Sequence, residues 1–187
     1  MISRVSLVVF CAALALLQAC GSSETRYGTD AALPQDRARV AYARIEIATV
    51  GLPAYAETEE IQAQGADGAI QPVGGLWADT PTRAVTLQVA RDLGALTGGI
   101  VAPAPWPFRD PPAARVDIRI ETYLATAEGQ FVMTGQIFAA PEDGGRDRAR
   151  RFDIAVDIAP DGGPTAIATA QGAAVTALTR DVAAALR

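Results

Sequence analysis

Carboxylates are the side chains in this sequence best suited to chemistry. Glu57, Glu59 and Glu60 crowd one short stretch, and Asp79 stands just ahead of a candidate helix. Two carboxyls in different surroundings could serve as general acid and base in a hydrolase, one holding a proton while the other stays ionised. Histidine, the usual general base and the commonest metal ligand, does not occur in the chain. Beyond residue 19 the only serines are Ser22 and Ser23. Ser-His-Asp, Cys-His and histidine-based zinc chemistry are thereby excluded, and acidic residues in polar stretches read as solvated surface. The expectation is no catalytic residue, no bound metal and no cofactor.

Spacing does define one reactive site, and it is a thiol. Leu17-Gln18-Ala19-Cys20-Gly21 follows the apolar run Val5 to Leu17, which has Arg4 ahead of it. That run is about a dozen residues, short of the roughly 20 that span a bilayer, and Ala19 is the small residue a signal peptidase requires. The pattern is a lipobox. Cleavage between Ala19 and Cys20 would make Cys20 the first mature residue, with a diacylglyceryl group on its sulfur. A single acyl chain holds marginally, at about 0.8 kcal/mol per buried methylene, whereas two or three on one residue make a lasting membrane anchor. Gly21, in place of the Asp that signals inner-membrane retention in enteric bacteria, favours the outer membrane. With Cys11 removed and Cys20 lipidated, no thiol remains for a disulfide.

Removing 19 of the 187 residues leaves 168, a length that suits one domain. Half the chain is apolar but only 6 % is aromatic, so the core must be packed largely with small side chains. Residues 20–187 carry 15 arginines, no lysine and 21 acidic residues. That negative balance argues against nucleic acid as a partner.

The elements that would position these groups follow from periodicity. Residues 20–38 are polar, contain Gly28 and Pro34, and read as a lipidated N-terminus and flexible tether spanning roughly 20 to 25 Å. Residues 39–187 form the domain. Residues 39–50 alternate as a first strand, broken at Leu52-Pro53-Ala54-Tyr55; Ile61 to Gln64 and Ala69 to Val73 make a hairpin about Gly65 to Gly68. Thr80-Pro81 opens a helix whose apolar stripe is Ala84, Leu87, Ala90, Leu93 and Leu96, and Gly98-Gly99 ends it. Three alternating stretches, around Val116 to Thr122, Gln130 to Ala140 and Arg150 to Ala159, predict an antiparallel meander with Phe152, Ile154, Val156 and Ile158 inward. Pro164 to Arg187 reads as a helix with Ile167, Ala170, Ala174, Leu178, Val182 and Leu186 on its buried face, and Gln171 and Thr179 away from it. The fold class expected is α+β: a single domain with a mixed, largely antiparallel sheet packed by a mid-chain and a C-terminal helix, after a cleaved lipoprotein signal peptide.

This order of elements, with the lipobox, the Leu52-Pro53-Ala54-Tyr55 segment and Trp77-Ala78-Asp79 at the helix entry, resembles the PqiC-like ABC-type transport auxiliary lipoproteins. The resemblance covers nearly everything from Cys20 onward. It implies a non-catalytic lipoprotein of an envelope lipid-trafficking system, held on the periplasmic face of the outer membrane and docking an MCE-type periplasmic protein. The acidic Glu57, Glu59 and Glu60 depart from the more apolar and basic residues often found after this motif. Another envelope adaptor, TolB-like or secretion-associated, is the alternative; a homo-oligomer stays open.

Docking requires exposed anchors, and two places could supply them. Pro103 to Pro112 is half proline, so Trp106 and Phe108 stand on a restricted backbone and lose little entropy on binding. Leu52, Pro53 and Tyr55 are the second group. Trp77 is expected to plug the core rather than to form a ligand platform.

Overall fold

The computed structural model describes residues 24–29, 31–142, 144–160 and 162–187; Ala19 and Cys20 lie outside them. In chain order the elements are β1 (Arg26–Tyr27), β2 (Arg44–Ile47), β3 (Glu60–Gln64), β4 (Ile70–Trp77), α1 (Pro81–Thr97), β5 (Ile100–Pro103), β6 (Ala114–Ala125), β7 (Gln130–Pro141), β8 (Arg148–Asp157) and α2 (Pro164–Ala185). One turn of 3-10 helix, Ala54–Ala56, interrupts the chain between β2 and β3.

The strictly alternating sequences became the longest strands. β6 pairs antiparallel with β7, and β7 antiparallel with β8, so the expected meander is present. The other edge of β6 is shared: β2 runs parallel to its start, and β3 meets its end at the Ala63–Ala125 pair. β2 continues to β5 in parallel, β3 to β4 antiparallel, and β4 to β1 in parallel. The result is one open, mixed, eight-stranded sheet. β2 has a neighbour on each side and lies in the core, so Ile45, Glu46 and Ile47 are all buried where the sequence predicted alternation.

α1 and α2 pack against each other and against the sheet. Val116, Ile118 and Ile120 of β6 point into the core, while Arg115, Arg119 and Glu121 are exposed. A register shift between Ile120 and Thr122 then moves the inward phase to Tyr123 and Ala125, so Thr122 does not continue the inward row. Gly135 faces Ile120 at this bulge, and a Cβ there would strike the Arg119 carbonyl oxygen and lie 2.9 Å from Ile120 Cα.

The buried stripe of α2 is the expected one: Ile167, Ala170, Ala174, Leu178, Val182 and Leu186 are all within 3 % of full burial. Gln171 and Thr179, expected to lie away from it, are also buried, because α2 has α1 and the sheet as neighbours and hides a wider arc than one stripe. The stripe of α1 is rotated for the same reason. Val85, Val89, Leu93 and Leu96 are buried with Gln88 and Asp92, whereas Leu87 is 39 % exposed. Gly98 ends α1 in the left-handed conformation at φ 69°, which favours glycine.

Much of the stretch expected to be a tether is structure. Arg26–Tyr27 form β1 beside Leu76–Trp77, and the chain then runs along α1 and α2 as a strap. Ala38 N–H donates to the Leu96 carbonyl, the Arg37 guanidinium to the Ala95 carbonyl, and the Arg91 guanidinium to the Ala31 carbonyl. Gly172 of α2 lets Ala31 approach closely, since a Cβ would come within 3.1 Å of it. Tyr27 docks on the core as its aromatic character allows, but Leu33 stays 47 % exposed and Pro34 is the buried residue beside it.

Candidate docking surface

The acidic residues raised first do not assemble a reaction centre. Asp79 accepts a hydrogen bond from the Thr80 amide at 2.8 Å and pairs with Arg83 one turn into α1, which favours helix initiation by a negative charge at the positive helix end. Glu59 pairs with Arg26 of β1 at 2.8 Å, and Glu57 and Glu60 are exposed. Among the described residues no cluster of three or more acidic or sulfur ligands could hold a metal ion.

Sequence reasoning missed the most deeply buried carboxylate among the described residues. Asp92 is fully buried between the helices, accepting from Arg91 Nε at 2.9 Å and from the Thr176 hydroxyl at 3.1 Å. Gln88 donates to the Gly172 carbonyl at 2.8 Å beside it. Together these groups lock α1 and α2 in parallel register: Gln88 meets Gly172, and Asp92 meets Thr176. The signal available was a polar i, i+4 pair, Gln88 and Asp92, on the buried side of an amphipathic helix.

Trp77 is 6 % exposed and belongs to the core. With Tyr123 and Gln171 it borders a small recess of about 60 Å³, room for roughly two waters and far below the volume of a small-molecule site. Gln171 Oε1 is buried there without a hydrogen-bond partner. Burial pushes the Tyr123 phenol above its ordinary value. Larger recesses of about 470 and 560 Å³ lie open along Thr165, Thr169 and Ala173 of α2.

The two groups of candidate docking residues differ in exposure. Leu52 is 9 % exposed and Tyr55 is half-buried, its hydroxyl accepting a hydrogen bond from the Tyr123 amide at 3.0 Å. That amide lies just past the β6 bulge, so Tyr55 serves a backbone donor that the sheet leaves free. Pro53 is half-buried and leads into the 3-10 turn. These three side chains are therefore engaged in packing.

The proline-rich loop is the exposed group. β5 and β6 flank β2 and both run parallel to it, so the connection between them must cross a face of β2. It is fastened at both ends: Ala104 N–H donates to the Ile47 carbonyl and Ala113 N–H to the Arg44 carbonyl, each at 2.8 Å. Arg44 Nε also donates to the Pro111 carbonyl at 2.9 Å. Within the loop, the Trp106 and Phe108 rings meet edge to face, centroids 5.1 Å apart. Trp106 Nε1–H donates to the Asp110 carbonyl at 2.7 Å, closing the turn. Trp106 is half-buried and Phe108 is 51 % exposed, the most exposed large apolar residue among those described. The arrangement offers a preformed apolar knob of two rings.

The fold defines a class: a single α+β domain, an open mixed sheet with two helices. The chain belongs to the family of ABC-type transport auxiliary lipoprotein components, whose model matches residues 28–183. It is thus a lipoprotein of a transport system, in an auxiliary family not known as an enzyme family. Comparison with curated proteins returns no match. Among solved structures, the chain is similar to an uncharacterized protein at TM-score 0.69 and 16 % identity, covering 86 % of this chain and 98 % of that one. It is also similar to a Xanthomonas campestris protein of the DUF330 family, at TM-score 0.66 and 17 % identity, covering 85 % and 92 %. At these identities the likeness concerns the fold.

Proposed function

We propose that this protein is the lipid-anchored, non-catalytic docking subunit of an MCE/ABC-type intermembrane lipid transport system, held by Cys20 on the periplasmic face of the outer membrane. The observation that carries the docking role is the Trp106–Phe108 pair, an exposed aromatic knob on a loop fastened to β2 at both ends. A preformed aromatic anchor contributes to binding without the ordering cost of a flexible loop. The lipobox and membership of an auxiliary transport-lipoprotein family support the anchor and the transporter partner.

The test is copurification from detergent-solubilised envelope, read by mass spectrometry. The wild-type protein should bring down an MCE-type protein, and Trp106→Ser with Phe108→Ser should abolish this while the melting temperature stays within a few degrees. Recovery of a Tol or secretion component with no MCE protein would overturn the lipid-transport reading. Retention of the MCE protein by the double variant would overturn the loop's role alone.

A further inference from the structure

The structure constrains how the domain stands on its membrane, and that follows from the position of β1. Were residues 20–38 a free tether, the domain could take any orientation. Instead the chain is fastened at Arg26, whose pairing with Leu76 is reinforced by the ion pair to Glu59 and by a hydrogen bond to the Trp77 carbonyl. Cys20 is six residues before Arg26, so its sulfur can lie no more than about 25 Å from the fastening point. β1 runs parallel to β4, so the chain entering β1 comes from the Ile70 end of β4, where the β3–β4 hairpin turns. Ile70 is likewise six residues before Leu76. The reach of the anchor therefore matches the length of the hairpin.

The hairpin has the surface such a position calls for. Residues 61–75 (IQAQGADGAIQPVGG) contain a single charged residue, Asp67, in a chain that is 20 % charged. The Asp67 carboxylate accepts from the Ala69 amide within the turn. Ile70 and Val73 are 38 % and 41 % exposed. The acidic Glu57, Glu59 and Glu60 lie at the base of the hairpin, since Glu60 is registered opposite Leu76. A neutral tip with exposed aliphatic groups can enter the headgroup layer without desolvating a row of charges.

We infer that the tip of the β3–β4 hairpin, through Ile70 and Val73, rests on the lipid surface and sets the orientation of the domain; this depends on Cys20 being the anchor. The far end of the sheet then points away from the bilayer. β3, β6 and β2 all run parallel, so the start of β2 is opposite the hairpin tip, and the C-terminus is joined there through the bond from Ala41 N–H to the Leu186 carbonyl.

The test uses the acylated full chain in phosphatidylethanolamine–phosphatidylglycerol vesicles. With the Cys20 sulfur blocked by its lipid, Ala69→Cys or Arg187→Cys provides a single thiol for an environment-sensitive fluorophore. Headgroup-nitroxide lipid should quench the label at 69 at least threefold more than the label at 187. Adding Ile70→Asp with Val73→Asp should remove that difference while the protein still floats with the vesicles and melts within a few degrees of the parent. Equal quenching at the two sites, or stronger quenching at 187, in a protein whose Cys20 acylation is verified by mass spectrometry would overturn the orientation and leave the anchor standing. A protein with no acyl group on Cys20 that still floats with the vesicles would overturn the anchor and the orientation with it.

Discussion

Asp36 and Arg180 are 144 residues apart in sequence and joined by a two-pronged ion pair, Arg180 Nε to Asp36 Oδ2 and Nη2 to Oδ1, each at 3.0 Å. Parallel hydrogen bonds from a guanidinium fork fix geometry as well as charge. Here they fasten the strap that precedes β2 to the exposed side of α2, and so join the N-terminal end of the domain to its last helix.

A pH-dependent release of the strap follows from that pair. The Arg180 hydrogen bond, first, and its charge hold the Asp36 carboxyl below its ordinary value of 3.8. A carboxyl whose folded value is depressed adds its stabilisation above the unfolded value, and loses it as pH falls through the folded one. Amide protection across residues 31–38, taken relative to the intrinsic exchange rate at each pH, should therefore hold above about pH 4 and fall below it. Asp36→Asn should show lower protection there at neutral pH and no such step, with only a small change in global melting because the pair is exposed.

Gly135→Ala tests the β6 bulge. The added methyl would collide with the Arg119 carbonyl and press on Phe152, so β6 and β7 would have to separate. The expected loss is about 1 to 3 kcal/mol in chemical denaturation, typical of overpacking. A neutral result would mean that the two strands are not held in this register.

The two tryptophans should behave oppositely. Trp77→Ala removes a core ring and should cost about 3 to 5 kcal/mol of stability. Phe108→Ser, at a half-exposed ring on the loop, should leave the melting temperature within a few degrees, and Trp106→Ser likewise. If Trp106→Ser lowers it by ten degrees or more, that ring is part of the core and the docking surface lies elsewhere.

Cys20→Ala should move the protein out of the membrane fraction or leave it uncleaved, and should abolish palmitate labelling. Labelling that survives the substitution would end the lipoprotein reading of this N-terminus. Among the described residues no helix is long and apolar enough to cross a membrane.

Periodicity in the sequence was enough for the elements whose environment is simple. β6 to β8 alternate because one face of their sheet is buried, and the α2 stripe from Ile167 to Leu186 is readable because its inner side faces the core. Gly98 marks the end of α1 because only its own backbone conformation matters there. The proline-rich loop and its two aromatics are also visible as sequence; that the rings meet each other, and that the loop crosses β2, is not. Where a residue's surroundings come from distant chain, local pattern carries no information. β1 exists only because Leu76–Trp77 offer an edge fifty residues later, and the strap only because two parallel helices leave a groove. Leu87 is turned outward and Gln88 and Asp92 inward because α1 has a second helix beside it as well as a sheet. Tyr55, a candidate contact for a partner, has its hydroxyl on an amide freed by a bulge on β6, a link its local sequence does not show. Local alternation and caps report on the chain's own backbone; which polar group lies buried, and which apolar one is left exposed, was decided by packing between segments that the sequence does not set side by side.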